Sequence, residues 1–238
     1  MKQSDPSKLG TQTWQELNKI AHLGYPMSDV FRDFLDVCLN TILSCTDNLE
    51  RSTIGELMEK CQTSTLDGEY AQRSMQIAAK YPENQTRPEG QRPGDFFATA
   101  FLALQTETHE AQEDVLGFLY ERYLSRGEHG QFVTPPDISQ LMMTLTNHQQ
   151  GDRVYEPGVG SGRLLIAAAK CNPRRHFIGV DISPIFARMA ALNMWLFDLN
   201  ADIYQGNAFS GKMSCWWHIL RGGYIWESNL LSHPQRHG

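Results

Sequence analysis

The stretch from Arg153 to Asp181 constrains this chain more than any other. An apolar run closes on an acid at Glu156, and a turn follows in which Gly158, Gly160 and Gly162 alternate with other residues. A helical pattern begins near Ser161, and a second apolar run closes on Asp181. A third strand-like run, Ala201 to Gln205, follows a helix opened by Pro184 and leads to Asn207. Strands that alternate with helices predict a parallel sheet with right-handed crossovers. Acids and a glycine turn at strand ends predict a nucleotide-sized ligand site at the carboxyl edge of that sheet.

The glycine spacing selects among cofactors. A dinucleotide fingerprint needs G-x-G-x-x-G, and here Arg163 stands where the third glycine belongs. Alternating glycines behind Glu156 and Pro157 suit S-adenosylmethionine, whose amino-acid end can place its ammonium on a carboxylate and its carboxylate on backbone N–H groups. Glu156 is the candidate for the ammonium. Asp181 is placed to accept from both ribose hydroxyls. Asn207 carries an amide that both donates and accepts, which suits an adenine edge.

Further residues carry a family resemblance. Gly130-Gln131-Phe132-Val133-Thr134-Pro135-Pro136 precedes an apolar helix, then come E-P-G-V-G-S-G and G-V-D-I-S-P, and Asp114 to Glu121 reads D-V-L-G-F-L-Y-E upstream. Over roughly residues 95–210 the chain resembles the N6-adenine DNA methylases, most closely the methylation subunit of type I restriction-modification systems. The resemblance implies a Rossmann-like S-adenosylmethionine-dependent methyltransferase fold. It also implies that Phe132, Thr134 and Pro135 bind cofactor, alongside Glu156, Gly158, Gly160, Gly162, Asp181, Ile182 and Asn207. Read without it, Thr134-Pro135-Pro136-Asp137 is a stiff extended segment entering a helix capped near Asp137.

The sequence departs from that family in three places. Glu156 and Asn207 stand where aspartates are usual, and no Asn/Asp-Pro-Pro-Tyr/Phe sequence occurs. The last matters most. An exocyclic adenine nitrogen is a poor nucleophile, so an enzyme must accept its protons, hold it in line with the methyl group, and keep the base out of the duplex. No catalytic residue is assignable from the spacing. Tyr204, Trp216, Trp217, Tyr224 and Trp226 are more readily packing groups than base platforms. Two functions follow: a DNA adenine-N6 methyltransferase or its modification subunit, and a non-catalytic relative that binds the cofactor or a partner without transferring methyl groups.

The formal net charge of −6 argues against a strong free-standing DNA binder. In type I systems a separate specificity subunit selects the sequence, so the resemblance implies DNA contact that is weak or runs through such a subunit. Arg122 with Arg126, and Arg174-Arg175-His176, are local basic clusters, the second read as a solvated loop. Cys38, Cys45, Cys61, Cys171 and Cys215 form no C-x-x-C pair and read as buried thiols, with no metal site. Met1 to Asn18 is polar and no long apolar run follows, which predicts a cytoplasmic protein without a membrane span.

The expected class is therefore α/β, with a mainly helical region over residues 1–130 and a partial Rossmann-like cofactor domain over 131–238. In the first region Phe31, Phe34, Leu35, Cys38 and Ile42 share a helix face capped by Ser28, and Val115, Leu116, Leu119 and Tyr123 share another. These helices either pack on one another or, like the C-terminal edge, offer a surface to a partner subunit. Too few residues follow Asn207 for the remaining βαβ units. Either Cys215 to Leu220 and Gly223 to Trp226 form a hairpin about Arg221-Gly222-Gly223 that covers the sheet edge, with Trp216, Trp217 and Trp226 buried, or the chain is a fragment or a shortened relative that another subunit completes. Met142 and Met143 read as core.

Overall fold

The structure, a computed structural model, describes residues 8–47, 68–125, 134–145 and 152–230. The chain divides between residues 111 and 112 into two compact units.

The first unit is helical. Helix α1 (Thr11–Ala21) packs along α5 (Pro93–Ala111), and α2 (Met27–Asp47) along α3 (Glu69–Ala78), with a single turn α4 (Glu83–Thr86) between them. The face read from spacing on α2 is the buried one: Phe31, Phe34, Leu35, Cys38 and Ile42 are all core. Ser28 does not cap it. The helix starts at Met27, and the Pro26 carbonyl accepts from the N–H groups of Asp29 and Val30. Helix α1 lacks a capping side chain of its own. The Glu107 carboxylate supplies it from α5, accepting from Gln12 N at 2.9 Å and from the Thr13 hydroxyl at 2.6 Å.

In the second unit a short helix α6 (Val115–Leu119) continues into a π-turn over Tyr120–Leu124, and α7 spans Pro136–Leu145. Pro136 is the first helical residue, so α7 begins just before the expected cap at Asp137. Strand β1 (Arg153–Glu156), α8 (Arg163–Cys171), β2 (His176–Asp181), α9 (Pro184–Leu196) and β3 (Asn200–Asn207) follow as two βαβ steps. The sheet is mixed, in the order β1-β2-β3-β4-β5. Strands β1, β2 and β3 run parallel; β4 (Lys212–Leu220) and β5 (Tyr224–Asn229) add antiparallel to the far edge of β3. The hairpin therefore turns at Arg221-Gly222-Gly223 and covers that edge, as its sequence predicts. Its turn is pinned to the end of α9: the Trp195 indole donates to the Gly223 carbonyl at 2.9 Å, and Asp198 accepts from Gly222 N.

Right-handed crossovers between strands laid down in one direction put α8 and α9 on one face of the sheet. Phe177, Ala201, Ile203, Trp217, Ile219 and Ile225 alternate onto that face and are buried. The opposite face carries Tyr155, Tyr204, Trp216, His218, Tyr224 and Trp226, all partly or largely exposed. Trp217 is thus core as expected, Trp216 is half-buried, and Trp226, at 41% exposure, is not buried. The same alternation corrects the basic loop: Arg174 is exposed, whereas Arg175 lies on the Phe177 side and is buried. Met142 is exposed rather than core, and Tyr123, expected on the α6 face, is also exposed. Among the cysteines, Cys38 is buried, Cys215 half-buried and Cys171 exposed at the end of α8, while Cys45 is disulfide-bonded. Cys61, Arg126 and Phe132 lie outside the described residues.

Candidate cofactor site

Glu156, Asp181 and Asn207 end three adjacent strands at one edge of the sheet. The glycine turn sits over the first two. Gly160 and Gly162 adopt left-handed backbone, φ 55° and 89°, which lets the chain leave β1 and enter α8 within a few residues. Asp181 holds this turn directly, one carboxylate oxygen accepting from Gly160 N at 2.9 Å and the other from Ser183 N at 2.8 Å. Each oxygen keeps a lone pair for a further donor. Glu156 accepts only a long bond, 3.4 Å, from Gly158 N. Burial raises the pKa of both acids, with the backbone N–H groups pulling the other way. These are desolvated carboxylates with no cation among the described residues. A side chain at Gly158 or Gly160 would meet no atom within 4 Å, so the turn faces open space.

Asn207 is arranged differently. Its Oδ1 accepts from Phe209 N and Ser210 N at 2.9 and 3.1 Å, closing an Asx turn that starts the hairpin. Only its amide N–H groups are left for a ligand. Ile182, 71% exposed, and Phe209, fully exposed, follow Asp181 and Asn207 and give this rim an apolar border. Phe209 carried no sequence signal beyond an aromatic residue inside a polar turn. Thr134 and Pro135 are described, and the Thr134 carbonyl is held at 2.9 Å by Arg163.

Sequence reasoning passed over the residues that hold the turn from behind. Asp114, the N-cap of α6, is buried and accepts four bonds: from Gly117 N at 2.8 Å, Asn193 Nδ2 at 2.8 Å, Ser161 Oγ at 2.5 Å and Arg163 Nε at 3.1 Å. Asn193 also donates to the Ser161 carbonyl at 2.8 Å. Gly117 has to be glycine here, because a Cβ would lie 2.0 Å from Asp114 Oδ2 and 2.6 Å from Ser161 Oγ. The D-x-x-G spacing and the Arg163 substitution were the available signals. A cavity of about 190 Å³ beside this network is lined by Glu113, Asp114, Asp137, Ser139, Arg163 and Lys170 among others; it is not at the strand tips.

A second polar cluster lies on the sheet face opposite α8 and α9. Asp202 accepts from Trp216 Nε1 at 2.9 Å and lies 2.6 Å from both His176 Nε2 and His218 Nδ1. Burial alone would raise its pKa, but the bonds from His218, His176 and Trp216 outweigh that and hold the carboxyl below its ordinary range. The stabilisation is thus present above the unfolded carboxyl value, about 4, and is lost as pH falls through the folded one. Asp202→Asn is expected to cost about 1–2 kcal/mol at neutral pH after allowance for solvent screening. It should also flatten the acid limb of stability against pH, measured by urea denaturation. An unchanged acid limb would show that the cluster does not bear on folding.

Comparison with known proteins bears on the same stretch of chain. Residues 111–217 match the model of the N-6 DNA Methylase family. The HindI type I restriction enzyme methylase subunit of Haemophilus influenzae is 32% identical over 115 residues, covering 43% of this chain and 26% of that protein. The MjaVIII type I methylase subunit of Methanocaldococcus jannaschii is 29% identical over 118 residues, 45% of this chain and 20% of that one. The chain thus matches about a quarter or less of these relatives' length. A solved type I restriction-modification methyltransferase subunit from Streptococcus thermophilus gives a TM-score of 0.43 at 15% identity, over 82% of this chain and 56% of that one.

Proposed function

We propose, from the premise that the chain belongs to the N-6 DNA methylase family through residues 111–217, that its second unit binds S-adenosylmethionine at the tips of β1, β2 and β3. In this reading it serves methyl transfer to the N6 atom of adenine in DNA, within a modification subunit. The observation that supports it best is the pair of desolvated carboxylates at one glycine turn, Glu156 beside Gly158 and Asp181 bonded to Gly160. Glu156 has no cation beside it among the described residues and suits the ammonium. Asp181 keeps one lone pair per oxygen for the two ribose hydroxyls. The N–H groups of the turn suit the cofactor carboxylate, and the Asn207 amide and Ile182 suit the adenine. Gly162, Phe132, Thr134 and Pro135 complete the proposed set. When bound, the cofactor supplies an electrophilic methyl group; the chain's own residues orient it.

A second reading, cofactor binding without transfer by this chain alone, is favoured by two specific observations. After β3 the chain turns back as a hairpin instead of crossing to the β1 edge, and no Asn/Asp-Pro-Pro-aromatic sequence occurs. DNA and a specificity subunit remain proposed partners under either reading. Two measurements separate them. Calorimetric titration with S-adenosylmethionine is expected to show saturable one-site binding, and its absence refutes both. Labelled-methyl incorporation into adenine-containing DNA above background then rejects the non-catalytic reading, while none despite measured affinity rejects catalysis by this chain unaided.

A further inference from the structure

We infer that Arg163 is a positioning residue that ties the cofactor turn to the Thr134–Pro135 segment, so that the amino-acid end of the ligand is held more firmly than its nucleoside end. This rests on the cofactor reading above. Arg163 is the first residue of α8, directly after the glycine turn, and its side chain is only 7% exposed. All three nitrogens of its fork are used. Nε donates to Asp114, Nη1 to the Thr134 carbonyl at 2.9 Å, and Nη2 to Glu121 at 3.0 Å. Three separate segments therefore meet on one planar cation: the helix cap at 114, the π-turn at 121, and the backbone just before α7 at 134.

Only a guanidinium has the geometry for this arrangement. Its donors diverge in one plane, whereas an ammonium is a compact point charge on a flexible stem. Lysine at 163 would keep the charge between Asp114 and Glu121 and lose the directed bond to the Thr134 carbonyl. Ser161 would still be fixed by Asp114 and Asn193, so the turn itself would keep two of its anchors. The change therefore acts first on the side of the site where Glu156 and the turn lie, and reaches Asp181 only through its bond from Gly160 N. Asp181 and Asn207, on the neighbouring strands, have no bond to Arg163.

The test compares S-adenosylmethionine with adenosine on the full chain, by titration of the wild type and Arg163→Lys. The expected result is an affinity for S-adenosylmethionine about tenfold weaker in the variant, with adenosine affinity within twofold of wild type. A merely structural role would weaken both ligands together, and that outcome overturns the inference. So does a variant that binds both ligands as the wild type does. If Arg163→Lys fails to fold, Glu121→Gln tests the same coupling from the half-exposed arm of the fork. It is expected to show the same ligand bias at a smaller size, and equal losses for the two ligands overturn the inference. A wild type that binds neither ligand refutes the cofactor reading itself and this inference with it.

Discussion

Asp114→Ala is expected to destabilise the second unit by about 3–5 kcal/mol, the range for removing one partner of a buried ion pair. The size follows from what is left behind. The Arg163 guanidinium would keep Glu121 but lose its most buried counter-charge, and Ser161 Oγ, Asn193 Nδ2 and Gly117 N would lose an acceptor where water has little access. Asp114→Asn is expected to cost less, because one acceptor oxygen remains. Urea denaturation followed by tryptophan fluorescence reads this directly, since Trp195, Trp216 and Trp217 lie in the same unit. A loss under 1 kcal/mol would mean that the network relaxes around the gap and does not hold the turn.

Asp181→Ala is expected to weaken S-adenosylmethionine binding by two orders of magnitude or more. Two hydroxyl donors onto a carboxylate contribute about 1.5–3 kcal/mol each, and about 1.4 kcal/mol is tenfold in affinity. Its stability cost should be smaller, because the loss of the two bonds accepted from Gly160 N and Ser183 N is offset by relief of the carboxylate's desolvation penalty. An unchanged dissociation constant in a folded variant would remove the ribose assignment. The acid side of the binding profile carries a second signature. Burial raises both Glu156 and Asp181, so each binds protons more readily in the folded chain than in the unfolded one. Their linkage to folding has the opposite sign to that of Asp202. The penalty is felt above the ordinary carboxylate range and relieved as pH falls through the folded values. Ligand binding needs both ionised, so affinity should fall on acidification from above that range. In mildly acidic buffer, binding should release protons, measured by calorimetry in buffers of different ionisation enthalpy.

The parallel half of the sheet was legible because period-2 apolar runs, a glycine turn and Pro184 mark its elements in local sequence. β1 and β2 fall where the pattern puts them, and the hairpin turn at Arg221-Gly222-Gly223 does too. Long-range structure was less legible. Nothing near Asp114 announces that its carboxylate meets Ser161, Arg163 and Asn193, since those partners come together only when α6, α8 and α9 pack. The misplacement of Arg175 and Trp226 has one cause. Exposure of a strand residue depends on which face the helices cover, and a loop label or an aromatic identity does not carry that information. Asn207 shows the same limit at the site: its position was readable, but the commitment of its Oδ1 to Phe209 and Ser210 depends on the turn that follows.

The two rims of the sheet are not equivalent. On one side the hairpin has already consumed the hydrogen-bonding groups of β3, so the run of parallel strands is closed there and anything added beyond β5 sits at least two strands from the asparagine tip. At the other rim, β1 pairs only with β2 among the described residues, and its Tyr155 is 54% exposed one position before Glu156. A strand that prolongs the parallel series, from whatever source, has to join at β1. It would arrive directly alongside the glutamate and the glycine bend, so enlarging this sheet and walling in its crevice are one and the same event.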